Sequence, residues 1–149
     1  MNINENWMKF AYREAEKAFE EGETPTGCVI VFGNKIIAKS HNQVETLKDP
    51  TAHAEILAIT SASAHLDSKV LQGCSMYVTL EPCAMCAGAI VLSKLENLFF
   101  GAFDPKAGAC GSVINITNNR SLNHSVNVFG GILDKECGDL LKNFFKGKR

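Results

Sequence analysis

Near its middle the chain runs Met76-Tyr-Val-Thr-Leu-Glu-Pro-Cys-Ala-Met-Cys86. The apolar run Met76–Leu80 predicts a buried β-strand. Pro82 then predicts the first turn of a helix that extends to Lys94, because proline suits that position. A strand followed directly by a helix is the unit from which α/β sheets are built.

The segments that precede this unit continue the pattern. Gly33-Asn34 is a hairpin signal between two β-rich runs, Cys28–Phe32 and Lys35–Ser40. Asp49-Pro50-Thr51 predicts a helix start, followed by the apolar stretch from Ala52 to Leu66. At the N-terminus, apolar residues at steps of three and four predict an amphipathic helix that ends at Gly22.

The segments that follow predict a strand, a loop and a closing helix. Leu98–Phe103 is the strand, and the glycine-containing loop Asp104–Ser112 comes after it. Val113–Thr117 and Val126–Phe129 are short strand candidates, and Leu133–Lys146 is the last helix. Strands separated by helices favour an α/β fold, a mixed or mostly parallel sheet with helices on both faces.

Length and composition limit the class of protein. The chain has 149 residues, of which 46% are hydrophobic and 21% are charged, and its formal net charge is −1. This length suits a single domain spanning residues 1–149, and these fractions exclude a disordered chain. Near-neutrality also argues against a broadly basic protein that coats nucleic acid.

The chain carries no pattern of a membrane span or a signal peptide. No apolar run approaches the roughly 18 residues that a span needs, and charged residues interrupt the first twenty positions. We therefore expect a cytoplasmic protein. In that reducing compartment the six cysteines are metal ligands or core residues rather than disulfides.

Two short patterns carry the chemistry: His53-Ala-Glu55 and Pro82-Cys83-Ala-Met-Cys86. Cys83 and Cys86 are three positions apart, so they share one face of a helix and both sulfurs can reach one ion. A helix N-terminus lowers thiol pKa, which favours metal-binding thiolates. His53 with the two thiolates suits Zn²⁺ and leaves its fourth position open to water.

Glu55 lies on a different face of its helix from His53, which fits only if the metal lies beyond the helix end. A carboxylate beside a metal-activated water is placed to take its proton. Three ligands, an open position and an adjacent base describe a hydrolytic site. A structural zinc site is normally closed by a fourth ligand.

Simpler interpretations of the same residues exist. An isolated His on an apolar helix is more often a core residue than a ligand, and a lone Cys-x-x-Cys could be a redox pair. Neither interpretation explains Pro82 or Glu55, whose burial without a partner would be costly. The hydrolytic zinc site accounts for all of them.

The sequence resembles the bacterial tRNA-specific adenosine deaminases, which belong to the zinc-dependent cytidine and deoxycytidylate deaminase superfamily. The resemblance covers essentially the whole chain. Its matching stretches are Pro25–Gly27, Asp49–Ile56, Tyr77–Ala89, Gly101–Ser112, Asn123-His124 and Leu140–Phe145. The zinc motif is common to the superfamily, whereas Gly101–Ser112 points to the tRNA branch.

The resemblance implies a three-layer α/β/α fold around a five-stranded mixed sheet, and a homodimer. It implies hydrolysis of the wobble adenosine in a tRNA anticodon stem-loop to inosine. His53, Cys83 and Cys86 would hold Zn²⁺, and a zinc-activated hydroxide would attack C6. Glu55 would shuttle the proton, and ammonia would leave.

The resemblance also implies substrate contacts. Asn42 would pair with the purine edge, and Pro25 and Leu80 would line the pocket. The residues expected to contact the RNA are Asp104, Lys106, Asn123, Phe144 and Phe145. From the residues alone, the two phenylalanines would more often be packing residues and the lysine a solvated loop residue.

Two other functions stay open at this point. A free-base guanine or cytosine deaminase would share the chemistry, but it would not need the loop Asp104–Ser112 or a basic C-terminus. A non-catalytic, zinc-stabilised RNA-binding module would have no use for Glu55.

The C-terminal basic residues are Lys142, Lys146, Lys148 and Arg149. Because the chain as a whole is nearly neutral, we expect it to bind a single RNA loop with few phosphate contacts, so that binding depends only weakly on salt.

Overall fold

The computed structural model describes residues 2–148, so Arg149 of the predicted basic stretch lies outside the described residues. Ten elements follow one another. They are α1 (Ile3–Glu20), β1 (Gly27–Phe32), β2 (Lys35–His41), α2 (Val44–Leu47), α3 (Ala54–Leu66), β3 (Ser75–Leu80), α4 (Ala84–Leu92), β4 (Asn97–Ala102), β5 (Asn127–Phe129) and α5 (Asp134–Lys146).

The strands form one five-stranded mixed sheet in the order β2-β1-β3-β4-β5. β1 is antiparallel to both β2 and β3, whereas β3, β4 and β5 are parallel. The hairpin turn is the one predicted, with Gly33 and Asn34 both at positive φ. This combination matches the right-handed twist of the paired strands.

Alternate residues of the central strands bury their side chains on opposite faces of the sheet. Cys28 and Ile30 of β1 belong to the apolar cluster that α3 and α4 cover. Val29 and Val31 belong to a second cluster, with Met8 of α1. Both faces of the sheet are therefore covered by helices, and the predicted α/β/α layering is confirmed.

Two predicted helices begin later than expected. α3 begins at Ala54 with His53 as its N-cap, and α4 begins at Ala84 with Cys83 as its N-cap. Pro50 and Pro82 thus precede the helices instead of opening them. The shift matters because it places a metal-binding residue type at the N-cap of each helix.

The predicted strand Val113–Thr117 is wrong. Its backbone folds back onto its own loop: the amide of Val113 donates to Gly108 and the amide of Ile116 donates to Ala109. These amides are therefore not available to a neighbouring strand. Within residues 2–148, no helix combines the length and the apolar character needed to cross a bilayer.

Candidate functional site

The topology brings four chain segments to one edge of the sheet. The parallel strands β3 and β4 both end there. β1 begins there and β2 ends there, because His41 pairs with Gly27 and the amide of Gly27 donates to Thr79 Oγ1 at 3.1 Å. The N-termini of α3 and α4 point to the same edge. A cavity of about 630 Å³ opens at this point.

His53, Cys83 and Cys86 form a cluster in which every pair of ligand atoms lies within 4.8 Å. His53 Nδ1 is 3.7 Å from Cys83 Sγ and 3.5 Å from Cys86 Sγ. His53 and Cys83 are half-buried and line the cavity, whereas Cys86 is fully buried. These residues could hold a metal ion, and one side of it would face the cavity.

The charges within this cluster are coupled. Hydrogen bonds from Cys86 and His53 lower the pKa of Cys83 to about 3. The same contact with Cys83 and its own burial raise the pKa of Cys86. The hydrogen bond with Cys83 raises the pKa of His53. The lowered pKa of Cys83 favours its thiolate, the form of cysteine that binds a metal ion.

Glu55 is only 4% exposed, yet it lines the cavity beside the cluster. Burial raises its pKa to about 7, against the opposing effects of its own backbone amide and of His53. A carboxyl group with a pKa near neutrality can both accept and donate a proton at physiological pH.

The other four cysteines, Cys28, Cys74, Cys110 and Cys137, are buried core residues.

Most of the predicted substrate residues lie around the same cavity. Asn42 and Leu80 line it, one after β2 and the other at the end of β3, and so does Asp104. Phe144 and Phe145 of α5 close another side. The structure therefore brings these five side chains together with the His53–Cys83–Cys86 cluster.

Three predicted substrate residues lie elsewhere. Pro25 is buried and does not line the cavity, although its neighbours Thr24 and Thr26 do. Lys106 lines a neighbouring groove between its loop and α5. Asn123 is exposed beside His124, whose ring nitrogen is 2.8 Å from the Leu95 carbonyl at the opposite end of β4.

Two buried acids at the site were missed by the sequence analysis. Glu23 accepts hydrogen bonds from Asn42, Glu45 and Thr46, and Glu81 accepts them from the loop 104–112. Both line the cavity. The available signal was weak: Glu23 lies near the matching stretch Pro25–Gly27, and Glu81 directly precedes Pro82.

Comparison with known proteins places this site in a family. The family model of MafB19-like deaminases matches residues 2–149. A tRNA-specific adenosine deaminase of Aquifex aeolicus is 52% identical over 97% of this chain and 95% of its own length. The enzyme of that name from Bacillus subtilis is 48% identical over 100% of this chain and 92% of its own length.

Solved structures of deaminases are also similar to this chain. One from work on A-to-I editing by tRNA:A34 deaminases at the wobble position superimposes with a TM-score of 0.88 at 40% identity, covering 91% of this chain and 99% of its own. A guanine deaminase of Bacillus subtilis is also 40% identical, but its TM-score is 0.65 and the match covers 69% of this chain and 66% of that chain. The chain therefore belongs to the deaminase family, on the branch of the tRNA-specific adenosine deaminases.

Proposed function

We propose that this chain hydrolyses adenosine to inosine at the wobble position of a tRNA anticodon stem-loop. The observation that carries the chemistry is the buried Glu55 beside the His53–Cys83–Cys86 cluster at the base of the cavity. The observation that favours a tRNA substrate is the near full-length similarity to tRNA-specific adenosine deaminases. The family match over residues 2–149 also supports a single deaminase domain.

The donor set fits zinc. Two tetrahedral ligands with ordinary Zn–N and Zn–S lengths lie about 3.6 Å apart. The distances from His53 Nδ1 to the two sulfurs are 3.7 and 3.5 Å. We therefore assign His53, Cys83 and Cys86 as the residues that would hold Zn²⁺. When bound, the ion supplies the Lewis acidity that makes water a nucleophile at neutral pH.

The chain's own residues supply the proton transfers and the orientation. Glu55 accepts a proton from the attacking water and donates it to N1 of the adenine. It then takes the second proton from the attacking oxygen and passes it to the departing amine, which leaves as ammonia. Asn42 is placed to hold the purine edge, and Leu80 packs beside the base. The base must leave its stack to reach the floor of the cavity.

The RNA around the target base is held at the rim. Phe145 is 51% exposed and offers a stacking surface, and Asp104 borders both the cavity and the groove that contains Lys106. Asn123 lies at the other end of the sheet from this cavity, and in a dimer it could contact RNA bound at the cavity of the second copy. We therefore propose a homodimer; the 82% exposure of Leu92 leaves apolar surface for such an interface. A tRNA substrate also favours a cytoplasmic location.

The test is incubation of the zinc-loaded protein with an anticodon stem-loop that carries a wobble adenosine. We expect inosine and ammonia, and no reaction with free guanine or cytosine. The matched control is the same stem-loop with guanosine at the wobble position. Conversion of guanine with the stem-loop left intact would assign the protein to the free-base branch, and no reaction with any of them would favour a non-catalytic RNA-binding module.

A further inference from the structure

Glu23 is a fully buried acid between α1 and β1, at the edge of the cavity. Within residues 2–148 it forms no salt bridge with a Lys, Arg or His side chain. Its carboxylate instead accepts hydrogen bonds from four donors. They are Asn42 Nδ2 at 3.4 Å, the Glu45 amide at 3.0 Å, and the amide and Oγ1 of Thr46, both at 2.6 Å.

These donors keep the carboxylate charged. Burial alone would raise the pKa of Glu23, but the hydrogen bonds from Thr46 and Glu45 and the nearby His41 lower it below its ordinary value. An ionised carboxylate can only accept hydrogen bonds. The group next to it must therefore be the NH₂ of Asn42, which fixes the orientation of that amide.

This orientation leaves the rest of the Asn42 amide for a ligand. Its carbonyl Oδ1 has no hydrogen-bond partner among the described residues, and it is not one of their buried unpaired atoms. Asn42 is 8% exposed, and the cavity is where that exposure lies. The carbonyl and one N–H of the amide are thus available to a purine edge.

The same carboxylate fixes the cavity rim. Gln43, the N-cap of α2, makes no capping hydrogen bond with its side chain. Glu23 caps this helix instead, although it lies in a different segment of the chain. Its carboxylate accepts hydrogen bonds from the amides of Glu45 and Thr46 in the first turn of α2. Val44 and Glu45 in this turn line the cavity.

We propose that Glu23 is a positioning residue for the reaction, which orients the Asn42 amide and the first turn of α2 toward the base. This inference rests on the proposed function of Asn42. A rotated amide would present a donor where the purine needs an acceptor, so a bound base would lie off its reactive position. Misplacement of a reacting group by about 1 Å can cost about a hundredfold in rate.

The first test compares Glu23→Gln with Glu20→Gln on the stem-loop substrate. The glutamine at position 23 keeps the size but replaces one acceptor by a donor, whereas the control makes the same change at an exposed side chain at the end of α1. We expect Glu23→Gln to lower kcat about tenfold to a hundredfold with KM within about threefold, because Phe145, Asp104 and Lys106, which we propose contact the RNA around the base, are unchanged. Glu20→Gln should stay within about threefold of wild type, because it changes an exposed side chain away from the cavity.

A double-mutant cycle with Asn42→Ala separates positioning from a general structural effect. If Glu23 acts mainly through Asn42, Glu23→Gln causes a much smaller loss of kcat/KM in the Asn42→Ala protein than in wild type. Independent, multiplying losses would overturn the proposal. Glu23→Asp keeps the charge and should recover part of the activity. Thermal melting shows whether each variant is folded.

A second readout does not need activity. In a sample with ¹⁵N-labelled asparagine, the side-chain NH₂ signal of Asn42 is identified by its loss in Asn42→Ala. Its hydrogen exchange should be faster in Glu23→Gln and Glu23→Asp than in wild type and Glu20→Gln. Unchanged exchange in both Glu23 variants would overturn the proposal, even if the wild-type protein proved inactive on the stem-loop, which would overturn the proposed function alone.

Discussion

Gly108 lies against the carboxylate of Glu81 so closely that a Cβ atom at position 108 would overlap with it. Glu81 is 2% exposed and accepts hydrogen bonds from the amides of Asp104 and Cys110 and from both the amide and the hydroxyl of Ser112. One buried carboxylate thus holds both ends of the loop that borders the cavity. The missing side chain at position 108 is what permits this contact.

The first prediction concerns this contact. Gly108→Ala should displace Glu81 and lower the free energy of unfolding by about 1–3 kcal/mol, as overpacking does. It should also lower activity on the stem-loop, since Asp104 moves with the loop. Urea unfolding measures the first effect. Gly138→Ala is the control: it adds a methyl group inside α5 at ordinary contact distance, so its stability should be unchanged or higher by up to about 1 kcal/mol.

Local signals in the sequence predicted the elements well and the long-range contacts poorly. The Gly33-Asn34 turn and the patterns around His53 and Cys83–Cys86 are local, and the structure has the turn and brings the three candidate ligands together. Glu23 and Glu81 have no such signal. Their partners lie 19 to 31 positions away, and only the closed sheet edge brings them together.

The errors at helix starts have a physical origin as well. Proline suits a first turn, which is why Pro82 was predicted to open a helix. In the structure Cys83 is the N-cap without a capping hydrogen bond from its side chain. Its sulfur points instead to His53. A function at that position overrides the usual preference for Ser, Thr, Asp or Asn.

The second prediction separates catalysis from metal binding. Glu55→Ala should keep bound zinc but lose at least about 10²-fold in the rate of deamination, the contribution of a positioned proton carrier. Cys86→Ala should lose the metal. Metal analysis of the two purified variants and a stem-loop assay check both statements. Activity near the wild-type level in Glu55→Ala would contradict the proposed proton transfers.

The third prediction concerns pH and the metal-free protein. Burial raises the pKa of Glu55 to about 7 from 4.5, so between these values the folded chain holds a proton that the unfolded chain has lost. The free energy of unfolding should therefore fall as pH rises through this window and stay low above it. Glu55→Gln has no such titration. The free energy of unfolding of Glu55→Gln should therefore rise relative to that of wild type, by at most about 3 kcal/mol, as the pH increases from 4.5 to about 7.

Chelator-treated protein, unfolded in urea at several pH values, provides this measurement. The difference between wild type and Glu55→Gln cancels the titration of every other group, provided that the two share their remaining contacts. A difference that stays constant from pH 4.5 to about 8 would show that the Glu55 pKa is not raised in the folded, metal-free chain.

The fourth prediction concerns thiol reactivity. Five of the six cysteines are buried, whereas Cys83 is half-buried and its pKa is lowered to about 3. An accessible thiolate is the reactive form of cysteine. In native, metal-free protein iodoacetamide should therefore label one site quickly, Cys83, and zinc should suppress that labelling. Peptide mass spectrometry identifies the site. A fast phase that survives in Cys83→Ser but vanishes in Cys74→Ser would contradict this assignment.

The last prediction distinguishes the two adjacent phenylalanines of α5. Phe144 is 9% exposed and packs edge-on against Phe19 at 5.8 Å between ring centroids, whereas Phe145 is 51% exposed at the cavity mouth. Phe144→Ala should therefore cost about 3 kcal/mol of stability, because it empties a packed position. Phe145→Ala should leave stability within about 0.5 kcal/mol, because its ring is mostly in solvent.

The affinity for RNA should depend more on Phe145 than on Phe144, the opposite of their order in stability. Loss of a stacking surface at Phe145 removes about 1–3 kcal/mol per base, which weakens affinity roughly tenfold to a hundredfold. Affinity for the stem-loop is best measured in the Glu55→Ala protein, so that turnover does not interfere. Phe32→Ala is the control, since this ring is 42% exposed at the hairpin, away from the cavity. Equal affinity in Phe145→Ala and Phe32→Ala would mean that the exposed ring of α5 packs against something other than RNA.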